Sequence, residues 1–243
     1  MATWAAGQIL LEIGASEKEE IVEKMLNYLT NTVDLETGMW PSALPETNQH
    51  PHAPWWHWNE GVQENWMFNP GVELAAFLVH WTSDHNEAAQ IGWSSIEKAV
   101  NRLMNANEMD RHEINNYQQF LNIMQSHKER FEEKIDYGLD VVSDKIMLLA
   151  ASCIERDVAE WSAGYKVLPL DIIGSPEHPL YSEFSTLVEQ NLHFFMEEVS
   201  VEGIWDNPWS WGSNPEEFPI ARRYWQGILA VNRYKTLKKF EYI

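Results

Sequence analysis

The sequence predicts an all-α protein built of helical hairpins. Along most of the chain, apolar residues recur at the three-to-four-residue spacing of amphipathic helices, as at Ile21, Met25 and Leu29. No segment alternates apolar and polar residues over the length of a strand. Glycine, proline and capping residues divide the chain into helix-length pieces, which is typical of stacked helical hairpins.

The elements can be predicted in order. A first helix over residues 4–13 ends at Gly14. Ser16 and Glu19 have the spacing of a capping box, which predicts a second helix from there to about residue 33. Asn69-Pro70 opens a helix that runs to about residue 81. The remaining predictions are a long aromatic-rich loop at 34–69, helices at 84–107, 111–131, 139–155, 178–199 and 219–239, and an irregular stretch at 161–177.

Charge excludes two classes of partner. The chain has 17 Lys and Arg against 37 Asp and Glu, which gives a formal net charge of −20. Binding to a phosphate backbone or to anionic lipid heads depends on clustered Lys and Arg. We therefore expect neither nucleic acid nor membrane as a partner, and we expect one domain over residues 1–243.

Cysteine usage and hydropathy predict a cytoplasmic protein. Cys153 stands alone, and no Asn-x-Ser/Thr acceptor occurs, both of which suit a reducing compartment. The apolar stretches fall short of the roughly 20 residues that a bilayer crossing needs, so we expect no membrane insertion. The residues after Met1 lack the basic and apolar regions of a signal peptide.

A short internal repeat is visible. Residues 33–40 and 199–205 both follow a predicted amphipathic helix, contain Gly-x-Trp, and enter a loop rich in Trp and Pro. The two differ by one residue inserted before the glycine. Such self-similarity predicts stacked helical-hairpin units.

These turns resemble the repeat unit of the terpenoid cyclase and protein prenyltransferase superfamily. A closer resemblance is to an uncharacterised branch of that superfamily with a Pro-His-Ala-Pro-Trp-Trp segment, here residues 51–56. Further matches are Asn69-Pro70, Gly203-x-Trp205 and the segment 225–228. The resemblance implies an α/α-toroid-like fold. With too few predicted helices for a full double ring, an incomplete barrel, or one closed by a partner, is expected.

The resemblance does not transfer catalytic residues. The cyclases of the family use an Asp-x-Asp-Asp motif or an Asp-Asp-rich motif, and this chain has neither Asp-Asp nor Asp-x-Asp. The prenyltransferases share an Asp-x-Cys zinc pair, whereas Ala151 stands two positions before Cys153.

The segment around residues 49–60 carries the densest chemistry. His50 and His52 face one way in an extended chain, and His57 or Glu60 could add a third ligand for a divalent ion. The helical His-x-x-x-His spacing is missing, so we predict no metal site and leave the cofactor open. His52 is a candidate general acid or base, or else a residue that fixes the loop by bonding to backbone carbonyls.

Tryptophans form a second candidate group. If the two Gly-x-Trp regions lie at the same end of a helical ring, their rings would line one cavity and pack on isoprenoids, stack on sugars or stabilise a cation. The alternative is that the rings fill packing between loops and helices. The candidate ligand-binding residues are Trp55, Trp56, Trp58, Trp205, Trp209 and Trp211.

Several charged residues flank these aromatic segments. Glu73 and Asp206 are candidate catalytic acids, although Glu73 could simply favour a helix N-terminus. Glu60 and Asp171 are further carboxylates that could pair with them. Arg222 is predicted in the first turn of the last helix, where a partner carboxylate or an anionic ligand would explain it.

Three functions remain open. The first is binding of an apolar or terpenoid small molecule, with acid-catalysed cyclisation by His52 or Asp206. The second is a carbohydrate-active α/α-barrel enzyme with paired carboxylates. The third is a non-enzymatic interaction module whose Trp loops form a partner-binding surface. A homo-oligomer and a partner protein both remain open.

Overall fold

A computed structural model describes residues 2–243, and this part of the chain is all-helical. It contains no strand; a single bridge between Asp34 and Met39 is its only β-type pairing. The all-α prediction is confirmed. The helices are α1 (Ala2–Glu12), α2 (Glu20–Thr32), α3 (Gln63–Trp66), α4 (Gly71–His80), α5 (Glu87–Asn105), α6 (Arg111–Gln125), α7 (Lys128–Lys134), α8 (Leu139–Cys153), α9 (Pro169–Ile172), α10 (Tyr181–Glu198) and α11 (Phe218–Lys239).

Two local predictions were wrong. The capping box is absent, because residues 16–19 form a turn in which the Glu19 amide donates to the Ser16 carbonyl, and α2 begins after it at Glu20. The helix predicted over 111–131 is broken into α6 and α7. The break follows from the end of α6, where the amides of Ser126 and His127 bond back to Ile123 and Met124 over the shorter interval of a tightened last turn.

The chain divides into two compact units. Unit 1 comprises the chain up to Pro45 together with Trp58–Leu149, and unit 2 comprises Glu46–His57 and Ala150–Ile243. The prediction of one domain over 1–243 and that of an incomplete ring of hairpins stay predictions.

Unit 1 is built around α4. This helix is apolar on all sides apart from Glu73 and the terminal His80, and a helix of that kind has to be buried. Every residue from Gly71 to Val79 is buried, because α1, α2, α5 and α6 all pack against α4. Gly92 allows α5 to pack closely on α4: a Cβ there would lie 2.9 Å from the Ala75 carbonyl oxygen.

Unit 2 holds α9, α10 and α11 with the loops between them. α9 packs on α10, and the Leu170 amide donates to Oδ1 of the buried Asn191 at 3.0 Å. α11 lies against α10 through Arg233, whose guanidinium sits 4.1 Å from the Phe195 ring centroid. Among residues 2–243 no helix is both long enough and apolar enough to span a bilayer.

Candidate functional site

The two Gly-x-Trp turns have the same structure. Gly38 and Gly203 both have positive φ, at 74° and 76°, which a residue with a side chain rarely adopts. Trp40 donates its indole N–H to the Leu29 carbonyl at 2.9 Å, and Trp205 donates to the Phe195 carbonyl at 2.6 Å. Each indole is thus tied to the helix that precedes its turn. The weak sequence repeat is therefore a repeat in structure.

A hydroxyl group closes each turn from a later helix. The carbonyl of Gly38 accepts from Ser95 on α5, and that of Gly203 accepts from Tyr234 on α11. Trp205 is buried, with 1% of its surface exposed, because the Tyr234 ring packs on it with centroids 5.1 Å apart. The candidate ligand-binding residue Trp205 thus lies in the core of unit 2, and its ring is not open to a ligand.

The His-rich segment folds as a stiff loop in unit 2. Pro54–Trp56 forms a turn of 3-10 helix, and Ala53 beside it is buried. Nδ1 of His52 lies 2.5 Å from the His50 carbonyl oxygen, and Nε2 of His52 lies 3.2 Å from Nδ1 of His57. Both ring nitrogens of His52 therefore have partners within the loop, which favours the loop-fixing interpretation.

Within unit 2, the His-rich loop packs against the loop that follows the Gly203-x-Trp205 turn. Trp55 meets Trp209 edge to face, with ring centroids 5.6 Å apart. Trp225 on α11 meets the same Trp209 ring, again at 5.6 Å and nearly perpendicular. Phe218 packs on Trp209 at 6.1 Å. We call these four side chains the aromatic cluster.

Two further contacts stabilise the junction of the loops. The side-chain amide of Asn214 donates to the His52 carbonyl at 3.3 Å. Trp211 packs on Phe218 with centroids 5.6 Å apart, which extends the aromatic cluster. Two rings of the cluster remain accessible, because Trp55 is 46% exposed and Trp225 is 42% exposed.

Trp225 was missed as a site residue by sequence reasoning. It lies three positions after Arg222 on α11, so both project toward the loop that carries Trp209. That spacing is the signal that could have identified it. Of the remaining predicted tryptophans, Trp56 is half-buried in unit 2, and Trp58 is exposed and belongs to unit 1.

The carboxylate of Asp206 is bonded to the helix that carries Trp225. Asp206 accepts hydrogen bonds from Nε of Arg222 at 2.7 Å, from Nη2 of the same guanidinium, and from Gln226 at 3.2 Å. The bond from Arg222 lowers the pKa of the Asp206 carboxyl below its ordinary value, with burial acting in the opposite direction. Asp206 is therefore ionised at neutral pH, and Arg222 finds the partner carboxylate that its position in the helix requires.

Asn207, the next residue, has an unusual environment. Both polar atoms of its side chain are buried and lack a hydrogen-bond partner among the described residues. Unpaired buried amides are uncommon in folded proteins. The Asn207 side chain is thus a buried polar group without a hydrogen-bond partner, next to Asp206 in the chain.

Glu73 lies in unit 1, in the core. It is 1% exposed and accepts hydrogen bonds from Trp4 at 2.6 Å, Gln8 at 2.9 Å and Asn116 at 3.0 Å. Burial raises the pKa of this carboxyl, and the three hydrogen bonds counteract part of the increase. These hydrogen bonds join α1 and α6 to α4, so Glu73 holds three helices together in the core.

A second polar cluster in unit 1 had no signal in the sequence. Nδ1 of His80 lies 3.1 Å from Nε2 of His127, and His127 borders Arg130. Arg130 pairs with Asp84, which also accepts from the Trp93 indole at 3.0 Å. The bonds from Arg130 and Trp93 lower the pKa of Asp84 to about 2. Burial lowers the pKa of both histidines, so the pair is neutral near pH 7.

The aromatic cluster coincides neither with a set of metal ligands nor with either of two surface depressions in the described residues. Within residues 2–243, no three His, Cys, Asp or Glu side chains are arranged to hold an ion. Two surface depressions lie in unit 1, one of about 330 Å³ beside Gly38 and Ser95, the other of about 340 Å³ beside Ile21 and Tyr28. Neither is lined by residues of the aromatic cluster.

Comparison with known proteins adds no relative. No protein-family model, no curated protein and no solved structure matches the chain.

Proposed function

We propose that the protein binds an uncharged small molecule on the aromatic cluster of unit 2, and that it acts there as a binding protein. The observation that carries this proposal is the meeting of Trp55, Trp209 and Trp225, with two of the three rings more than 40% exposed. Removing apolar surface from water is favourable by about 25 cal/mol per Å², which offsets part of the cost of association. A cytoplasmic location, suggested by the lone Cys153, is part of the proposal.

The charges around the cluster favour an uncharged ligand. Arg222 is neutralised by Asp206, so neither side chain offers an uncompensated charge to a diphosphate or a cation. The ionised Asp206 also carries no proton to give to a substrate at neutral pH. Together with the engaged nitrogens of His52, this argues for binding over acid-catalysed cyclisation.

An isoprenoid is the first candidate for the ligand. The resemblance of the Gly-x-Trp segments to the repeat unit of the terpenoid cyclase and protein prenyltransferase superfamily suggests this candidate, because the cyclases of that superfamily act on isoprenoids. An uncharged isoprenoid alcohol would pack its methyl-rich chain on the exposed ring faces.

A sugar is the second candidate, and the polar rim of the cluster favours it. Sugars present C–H faces that stack on tryptophan, together with hydroxyls that need hydrogen-bond partners. Gln226, next to Trp225 on α11, donates to Asp206, and these two polar side chains are the partners that we propose for the hydroxyls. Paired catalytic carboxylates are not required for this binding.

Fluorine NMR of protein labelled with 5-fluorotryptophan tests the proposal. The probes are farnesol and a set of neutral malto- and cello-oligosaccharides. Resonances are assigned with Trp55→Phe, Trp209→Phe and Trp225→Phe, while Trp40 and Trp205 serve as buried controls of similar turn structure. We expect one probe class to shift the three cluster resonances in a saturable way and to leave the two controls unchanged.

The two classes of probe give separate answers. A response to farnesol supports the isoprenoid candidate, and a response to an oligosaccharide supports the sugar. Absence of a saturable shift with both, or shifts confined to Trp40 and Trp205, contradicts the proposed function.

A further inference from the structure

α11 is a long helix with almost no core of its own. Of its 22 residues, only Leu237 is buried. The helix is held to unit 2 mainly by polar and ring contacts, from Arg222 and Gln226 to Asp206 and from Arg233 to Phe195. Most helical stability in proteins comes from packing of an apolar face, so a helix of this kind is short of packing partners.

The face of α11 that points away from these contacts is apolar. Ile220, Tyr224, Ile228 and Val231 are 60%, 73%, 46% and 60% exposed. Their spacing of four, four and three residues places them on one side of the helix. We call these four residues the α11 stripe. Contiguous exposed apolar surface of this kind marks interaction sites in folded proteins.

Gly227 lies on the same side of the helix as the α11 stripe, seven residues after Ile220. Glycine inside a helix is destabilising relative to alanine, so its presence calls for a reason. Nothing among the described residues lies within 4 Å of the position that a Cβ would occupy there. The absence of a side chain at the middle of an apolar stripe lets the backbone of a second helix approach closely.

Charge at the two ends of α11 is complementary in the antiparallel sense. The helix has six Lys and Arg and no Asp or Glu, whereas Glu216 and Glu217 immediately precede it. Glu216 and Lys238 are exposed and lie equally far before and after Gly227. Within residues 2–243 neither of them forms an ion pair.

We propose that the α11 stripe binds a second copy of this chain, with the two α11 helices antiparallel and crossing at Gly227. Twofold symmetry then brings Ile220 of each copy to Tyr234 of the other, and Tyr224 to the region of Val231. A shallow crossing angle of about 20° keeps the helices in contact over their length. Glu216 of each copy then comes within reach of the partner subunit's Lys238.

Sedimentation equilibrium of the full chain and two variants tests the surface. The wild-type chain is expected to be a dimer with a Kd on the order of 1 μM. Ile228→Glu is expected to raise that Kd by roughly 30-fold or more, because it places a charge at the centre of the buried stripe. Val201→Glu, at an exposed apolar residue of the same unit, is the matched control and leaves the Kd unchanged. Circular dichroism establishes that each variant remains folded.

Two further changes test the geometry. Gly227→Leu adds apolar surface, so nonspecific hydrophobic association would become stronger. The proposed dimer should become weaker instead, because the new side chain keeps the two helices apart at their crossing point. Glu216→Lys and Lys238→Glu should each weaken the dimer, and the double variant should restore it.

Three results would overturn the proposal. One is a wild-type chain that stays monomeric at about 100 μM. Another is a dimer that Ile228→Glu leaves intact. The third is a monomer that instead binds vesicles of anionic phospholipid through this face, which would assign the α11 stripe to a membrane surface.

Discussion

Trp55 and Trp209 meet edge to face, with ring centroids 5.6 Å apart and ring planes at 89°. The two residues come from loops far apart in sequence, one in the Pro-His-Ala-Pro-Trp-Trp segment and one just after the second Gly-x-Trp turn. Their contact, with the bond from Asn214 to the His52 carbonyl, joins the loops within unit 2. The site proposed for ligand binding depends on this junction.

Trp209→Ala is expected to destabilise unit 2 and to loosen the His-rich loop. Trp209 packs on Trp55, Trp225 and Phe218, and aromatic pairs contribute about 1 kcal/mol each beyond the area they bury. The free energy of unfolding should fall by about 2–4 kcal/mol, and amide hydrogen exchange should accelerate at residues 51–57. Tyr28→Ala, at an exposed ring of unit 1, should change stability by less than about 0.5 kcal/mol. Unchanged exchange at 51–57 would show that the loop is held without Trp209.

Arg222→Gln is expected to return the pKa of Asp206 toward its ordinary value. The carboxyl is ionised more readily in the folded protein because Arg222 donates two hydrogen bonds to it. This contribution to stability is present above the ordinary aspartate pKa and is lost as pH falls through the lowered value. Carbon-13 NMR titration of the carboxyl measures the shift directly. Arg223→Gln is the control, because no ion pair within residues 2–243 involves Arg223. An equal shift in both variants would contradict the specific role of Arg222.

Glu73→Gln is expected to remove a pH dependence of unit 1. Burial raises the pKa of Glu73, so the neutral form is favoured and stability is lost as pH rises through that raised value. In the variant, the side-chain oxygen of Gln still accepts from Trp4 and Asn116. Its amide nitrogen donates to the side-chain oxygen of Gln8 once the Gln8 amide group has turned over. Urea unfolding is measured from about pH 4, near the ordinary carboxyl pKa, to about pH 8, well above it. The free energy of unfolding should depend less steeply on pH in the variant than in the wild type.

Glu73→Ala provides the matched comparison. It leaves the donors of Trp4, Gln8 and the buried Asn116 without their acceptor, and the free energy of unfolding should fall by about 3 kcal/mol. A Gln variant as unstable as the Ala variant at every pH would contradict this account of Glu73.

Trp40→Phe and Trp205→Phe are expected to have similar effects. Each removes one buried hydrogen bond from an indole to a helix carbonyl, to Leu29 in the first case and to Phe195 in the second. A loss of about 1 kcal/mol is expected for each, measured by chemical unfolding. Because the two turns lie in different units, the losses should be close to additive in the double variant. A large effect at one position alone would show that the turns are not equivalent.

Local sequence patterns predicted much of the helical structure and one part of the site. Apolar spacing identified the second and fourth helices, and Gly-x-Trp identified two turns with the same hydrogen bonds. These features depend on residues close together in the chain, whose geometry is fixed by helix periodicity and by the φ angle that glycine allows. The terpenoid-like function and the ligand itself stay predictions.

The sequence alone determined that the chain is all-α, that it contains a repeated turn, and that many of its tryptophans fall in two loop regions. Tertiary structure alone decided which rings are open: Trp205 is buried where Tyr234 and Arg233 of α11 pack on it, whereas Trp55 and Trp225 are exposed. It also placed Glu73 in a core and left the α11 stripe uncovered. The physical reason is that burial depends on what packs against a residue from distant parts of the chain, and a local pattern shows the face of a helix without showing what covers it.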